Sequence, residues 1–199
     1  MKMIRINGET REFSTGVALF QDFLGGLNEE LKQSNQVIAS VKVDGKELSA
    51  EEETLLSEIA IDQVGEIEIL TASPLDLAYE TLNTLDQYVE LLMGSVAQAA
   101  DYYKKKNLIS GDTYLAKAID GLDLFVQTIG GVKLAIRVGL NPKIALIEAT
   151  LVSIVQDLLE TKRQSNYVFL AELLEKDLAE NLSEWKTIAF PIFRNYRIS

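Results

Sequence analysis

The chain has 199 residues, 47% hydrophobic and 25% charged, the balance of an ordinary globular protein of one large or two small domains. It has no Cys and no His, which removes disulfides, thiolate metal sites, Cys nucleophiles, the commonest general base and the usual pH switch. A net charge of −11 argues against sequence-independent binding to DNA, RNA or anionic lipid, all of which need a positive field.

Strand patterns dominate the start of the chain. Ile4 and Ile6 alternate with Arg5, and Asn7-Gly8 predicts a tight hairpin with Thr10 to Phe13 as the return strand. Phe20, Phe23/Leu24, Leu27 and Leu31 share one face of a predicted helix from Val17 to about Lys32, weakened by Gly25-Gly26. Val37, Ala39, Val41 and Val43 alternate with Ile38, Ser40 and Lys42, and Asp44-Gly45 marks a second hairpin returning through Lys46 to Leu48. Glu51 to Ile59 predicts a short helical turn, and Glu66 to Leu70 a last strand.

Two strands, a helix, two strands, a short turn and one strand, within about 70 residues, resemble the β-grasp (ubiquitin-like) fold. Ubiquitin-like modifiers and sulfur carriers act through a free C-terminal Gly-Gly. Here the last strand runs through Leu70-Thr71-Ala72 into a helix, which contradicts conjugation and sulfur transfer.

The domain joint falls at Thr71-Ala72-Ser73-Pro74, giving residues 1–72 and 73–199. Ser73 is placed to cap a new helix, with Pro74 in its first turn and Asp76 at the positive end of its dipole. Leu75, Ala78, Leu82, Leu85, Val89, Leu92, Val96, Ala99 and Tyr103 then step by threes and fours without a break. That seam predicts a helix to about Lys106, some 45 Å long at about 1.5 Å per residue. A lone helix of this kind is not stable in water, so partner helices must cover it.

Gly111-Asp112 is expected to open the next helix, with Leu115, Ala118/Ile119, Leu122, Phe125/Val126 and Ile129 on its face; Gly130-Gly131 is expected to break or kink it, with Val132 to Val138 either its continuation or a short separate helix. Gly139 stops the chain, and Asn141-Pro142 starts a helix carrying Ile144, Ile147, Leu151, Ile154 and Leu158. After a turn at Lys162 to Asn166, the final helix carries Phe169/Leu170, Leu173/Leu174, Leu178, Leu182 and Trp185, ended by Pro191. The fold class is α+β: a small β-grasp-like domain followed by an all-α antiparallel bundle of four to five helices.

Carboxylates are the only plentiful functional group. Asp120 with Asp123 and Glu172 with Glu175 lie three apart on helices, but a di-iron bundle needs Glu-x-x-His and no His exists. Solvated helix faces account for these pairs, and Glu51-Glu52-Glu53 lacks the spacing of a calcium loop. The paired glycines lack the Lys-Ser/Thr or third Gly of a phosphate loop, and no Ser has a His partner. The chain offers no catalytic residue, no metal site and no cofactor site.

The C-terminal segment departs from the acidic average. Lys186, Arg194 and Arg197 are interleaved with Phe190, Phe193 and Tyr196, with no acidic side chain among them. The segment reads foremost as core that folds back on the bundle, since exposed aromatics would form a patch that monomers rarely tolerate. Its sharper reading is a docking segment in which Phe190, Phe193, Arg194, Tyr196 and Arg197 bind a partner, as aromatics and Arg do at interfaces.

Thr71-Ala72-Ser73-Pro74 followed by Leu77 is similar to the T-A-S-P-x-x-L opening of the flagellar secretion chaperones, small helical bundles that wrap an export substrate. The resemblance implies a helical protein-binding bundle and brings no specific binding residue with it; an N-terminal β-grasp extension lies outside that family's pattern.

The chain therefore reads as a non-enzymatic bacterial interaction module, an adaptor, chaperone or assembly factor. Its expected partner is another protein or a second copy, with Lys46 to Leu48 as an edge strand open to a partner strand. Neither nucleic acid nor membrane is expected as a partner: the longest uncharged stretch, Leu91 to Ala100, is far short of a membrane span. Met1 to Arg5 shows no secretory apolar core, so the cytoplasm is expected. The alternative is a small-molecule binding protein or enzyme with an apolar ligand inside the bundle, among Tyr79, Tyr88, Tyr102, Tyr103, Tyr114 and Arg137.

Overall fold

The computed structural model describes residues 2–13 and 18–196; Val17 and Arg197, which figured above, lie outside them. The chain divides into two compact units, Met1–Leu77 and Ala78–Ser199, in an α+β layout.

In the first unit, β1 (Lys2–Ile6) and β2 (Glu9–Phe13) form a hairpin, followed by α1 (Phe20–Gln33), the hairpin β3 (Val37–Val43) and β4 (Lys46–Glu47), α2 (Ala50–Leu56) and β5 (Ile67–Ala72). The two turns hold Asn7 and Gly8 at φ 51° and 83°, and Asp44 and Gly45 at 52° and 78°, so both central residues are left-handed, as a type I′ turn requires. The sheet order is β2-β1-β5-β3-β4, with β1 and β5 parallel and the other pairs antiparallel. Alternation puts Ile4, Ile6, Val41, Ile67 and Ile69 in a core closed by Phe20 and Leu27 of α1. Gly25 and Gly26 sit inside α1 with open space around them, because Phe20 and Leu27 anchor the helix on its other face.

β3 departs from simple alternation. Its register against β5 shifts between Ile38 and Ser40, so Ile38 rather than Ala39 packs with Val41 and Val43 against the core. An extra residue on one strand reverses the phase of every side chain before it. α2 begins earlier than Glu51, at a capping box in which the Ser49 side chain accepts from Glu52 N–H and the Glu52 carboxylate accepts from Ser49 N–H.

The second unit is built from four helical rods. α3 (Pro74–Lys104) buries Ala78, Leu82, Leu85, Val89, Leu92, Val96, Ala99 and Tyr103, and its start is held by Ser73 Oγ accepting from Asp76 N–H at 3.0 Å. α4 (Leu108–Ile136) begins before Gly111, capped by Asn107, and runs unbroken through Gly130-Gly131. The expected break is absent because Phe125, Ile129, Val132 and Ile136 keep one buried face continuous, offsetting about 1 kcal/mol per glycine. Its stop comes at Arg137, which takes the left-handed conformation expected near Gly139.

α5 (Pro142–Arg163) follows, capped by Asn141. The last rod joins α6 (Tyr167–Glu172), a π-helical stretch Leu173–Leu178, α7 (Ala179–Glu184), a second π stretch Trp185–Ala189 and α8 (Phe190–Asn195). Helical backbone thus continues past Pro191, contrary to expectation. The wider π turn just before the proline shifts the carbonyl that its ring would meet in a regular α-helix.

Cross-links show that neighbouring rods are antiparallel. From α3 to the last rod, Asp86 pairs with Arg194, Glu90 with Lys186 and Lys104 with Glu175, one number rising as the other falls. Between α3 and α4, Tyr88 donates to Gly121 O at 3.0 Å and Tyr103 to Asp112 at 2.6 Å. Lys133–Glu148 and Asp112–Lys162 tie α4 to α5 in the same sense. Gly121 makes the first of these approaches possible: a Cβ there would lie 2.9 Å from Leu92 Cδ1. Phe125, Trp185 and Phe190 form an aromatic centre, with Phe125 edge-on to Trp185 at 5.2 Å between centroids.

Two outcomes follow from this packing. Phe193→Ala, at a fully buried site, should cost about 3–5 kcal/mol in denaturant unfolding. The Lys46 side chain and the Ser49 backbone amide, both bonded to the Glu52 carboxylate, hold its pKa at about 2, below the ordinary 4.5. A depressed folded-state pKa means that the contribution of the capping box is complete above pH 4.5 and fades as pH falls toward 2. Carboxyl NMR titration should place the Glu52 midpoint near 2, and Lys46→Ala should move it upward.

Candidate functional site

α4 carries a second apolar stripe beside its buried one: Ile119, Val126, Gly130 and Leu134 recur at steps of seven, four and four. α5 answers with Val152 and Val155. The two helices are parted along this line, leaving a groove of about 810 Å³. Its floor is made of buried side chains, Leu122, Ile129, Leu151 and Trp185; its walls are Val126, Leu134, Val152 and Val155. Leu134 is 81% exposed and Val152 57%.

Polar groups are few. Asp123, Lys133, Glu148 and Gln156 line the groove, and Lys133 pairs with Glu148 across it at one-third exposure each. Asp123 accepts from Gln127 Nε2 at 2.7 Å. Trp185 is 2% exposed, begins the second π stretch, and its indole N–H has no hydrogen-bond partner among the described residues. One turn earlier, Asn181 donates to Ile147 O at 3.0 Å while its Oδ1 is likewise unpartnered. This chemistry suits burial of an apolar body, and no nucleophile–base pair lines the groove.

The C-terminal segment singled out in the sequence lies elsewhere. Phe190 and Phe193 are fully buried in the bundle, which takes their rings out of reach of an outside partner. Arg194 pairs with Asp86, donates to Leu82 O at 3.3 Å and lies 6.0 Å from the centroid of the Phe190 ring. Tyr196 ties helix ends together: its carbonyl accepts from Tyr79 Oη at 2.8 Å and its hydroxyl from Gly139 N–H at 3.1 Å. The structure therefore brings these four together as internal packing, while Arg197 lies outside the described residues.

The tyrosines proposed to surround a ligand do not converge on a pocket. Tyr79 and Tyr88 bond backbone carbonyls, Tyr102 stacks on Tyr114 at 5.4 Å, and Arg137 is the exposed end of α4. Tyr103 instead joins a clamp at one end of the bundle. Its hydroxyl donates to Asp112, Lys162 pairs with Asp112, and the Lys162 ammonium lies 5.4 and 5.2 Å from the Tyr103 and Tyr167 rings. Burial pushes the Tyr103 hydroxyl strongly upward, helped by the Asp112 carboxylate. Burial works against ionised Asp112 too, but the hydrogen bonds from Lys162 and Tyr103 outweigh it and hold the carboxyl below its ordinary value. Both groups keep one protonation state near neutrality, which suits a structural tie.

Among the described residues no three or more Asp and Glu side chains converge as a metal site. β4 is an edge strand of only two residues, both charged, a poor template for strand addition.

Sequence reading missed the groove, although a signal was present. Residues 124–132 and 149–156 contain no charged side chain, in a chain that is 25% charged. Because Trp185 is the sole tryptophan and floors the groove, its fluorescence reports directly on the site. Emission should be blue-shifted and poorly quenched by acrylamide, and an apolar naphthalene dye should draw energy transfer from it. Val152→Glu should abolish that transfer while changing stability by about 0.5 kcal/mol or less, as at exposed sites.

Comparison with known proteins divides the chain near the same joint. Residues 1–73 match the family model described as the TP0873 N-terminal domain. Residues 80–188 match the model described as a domain of unknown function, DUF8042, a stretch that contains the whole groove and stops short of Phe190. No curated protein and no solved structure matches. Since the second match covers more than half of the 199 residues, the chain belongs to the DUF8042 family.

Proposed function

We propose that this protein is a non-enzymatic interaction module, an adaptor, chaperone or assembly factor, that engages a protein through the α4–α5 face of its bundle. The observation that carries the reading is the groove itself: a mainly apolar cleft on an acidic chain, its Lys133 and Glu148 paired with each other, with Val126, Leu134 and Val152 left exposed along it. Composition supports a non-enzymatic reading, since His and Cys are missing, and the shifted Tyr103 and Asp112 serve a structural tie.

The order β2-β1-β5-β3-β4 with a helix packed on one face supports a β-grasp start, a fold that often serves recognition. Four antiparallel rods opening on Thr71-Ala72-Ser73-Pro74 support the likeness to a helical protein-binding bundle. No helix among the described residues is long and apolar enough to cross a membrane. Together with the acidic charge, that supports a bacterial cytoplasmic setting without nucleic acid or lipid partners.

A second reading, a small apolar ligand in the groove, is favoured by one observation. A volume of about 810 Å³ with an unpartnered indole N–H at its floor falls within the range of small-molecule sites.

Affinity capture from the source cell tests the main reading. The wild-type chain should retain a protein that Leu134→Glu, an exposed substitution, releases. A capture profile unchanged by that substitution, together with a small molecule held reproducibly in native mass spectrometry, would replace the protein-binding reading by the ligand reading.

A further inference from the structure

We propose that the occupant of the α4–α5 groove is the same face of a second copy of this chain, packed about a two-fold axis. This rests on the reading of the groove as a protein-binding face and names its partner.

Charge is the first argument. α4 and α5 together carry five basic and six acidic side chains, a balance of −1 within a chain of −11. Counted the same way, α3 stands at −4 and the last rod at −2, so the α4–α5 face meets its twin with the least like-charge repulsion of the rods. A cationic partner would be drawn to the acidic remainder instead. Within the groove, Lys133 and Glu148 already neutralise each other, and either can exchange for its counterpart across the axis.

Shape is the second. An isologous contact needs a patch that carries both a projection and a recess. Leu134 projects at 81% exposure on one wall, next to a recess of about 810 Å³ floored by Trp185. One turn before it, Gly130 has nothing within 4 Å of where a Cβ would stand, so a partner helix can come close to the α4 backbone. Val126 and Val152, both more than half exposed, lie on either side of the cleft.

Area is the third. From Ala116 to Arg137 the face is roughly 30 Å long and about two helix diameters wide, close to 600 Å² per copy. Two copies bury roughly 1,200 Å², the lower bound for specific stable interfaces, so the dimer is expected at a micromolar Kd.

Sedimentation equilibrium of the full chain from about 1 to about 100 µM brackets that Kd. The average mass should rise from 22.1 kDa toward twice that value. Trp185 emission should change over the same range. Leu134→Glu should hold the mass at 22.1 kDa with unchanged helical circular dichroism. Val152→Glu, on the opposite wall, should do the same, so misfolding of one variant does not obscure the result.

A wild-type mass of 22.1 kDa throughout, or variants that dimerise as the wild type does, overturns the proposal. In the first case capture decides what else fails. If Leu134→Glu still releases a captured protein, the groove binds a different partner and the interaction reading stands; if it releases nothing, both fall.

Discussion

The constraint on which the bundle depends is the unbroken apolar seam of α3. Thirty-one residues of helix with one continuous buried stripe cannot persist in water alone. The rest of the second unit is arranged to cover that stripe. α4 packs against it through Gly121 and Tyr88, and the last rod through Asp86–Arg194, Glu90–Lys186 and Lys104–Glu175. These ion pairs are partly exposed and contribute little energy each. Their arrangement sets direction and register, while the buried side chains supply the stability.

Closing four rods around one seam leaves the opposite corner to α4 and α5, and there the packing is incomplete. Trp185 sits in the aromatic centre with Phe125 and Phe190, begins a π stretch, and floors the groove between α4 and α5. Helix α4 is apolar both toward the core and toward the groove, a pattern belonging to a helix buried on two sides. The π stretches keep Pro191 within the rod, which carries Phe193 and Arg194 back against α3.

The first unit solves a different problem by different means. Its sheet is small, so turns and caps matter more than core mass. Two left-handed turn pairs set the hairpins, and the bulge in β3 rotates Ile38 inward. The Asp44 carboxylate accepts from Glu66 N–H at 2.7 Å, and only a glycine fits beside it at 65, where a Cβ would lie 2.1 Å from that carboxylate. Few of these contacts are large, and each fixes a register rather than a volume.

The sequence by itself determined the element order, both hairpin turns, the Ser73 cap that opens α3 and the buried stripe of each long helix. Those features are local: turn chemistry, capping and periodicity are written within a few residues of where they act. The tertiary structure decided the rest. Gly130-Gly131 stays helical because distant side chains hold the opposite face, and Pro191 stays helical because a π turn precedes it. The aromatic and basic C-terminal segment is legible as core or as docking surface from composition alone, and only its contacts with α3 and Gly139 settle where its rings and hydroxyl lie. The groove was least legible, since an apolar residue at a given helical position looks the same whether another helix covers it or none does. Whether Val126, Leu134 and Val152 are interior or surface depends on how α4 and α5 stand against each other and against Trp185 of the last rod, which sequence spacing does not connect to them.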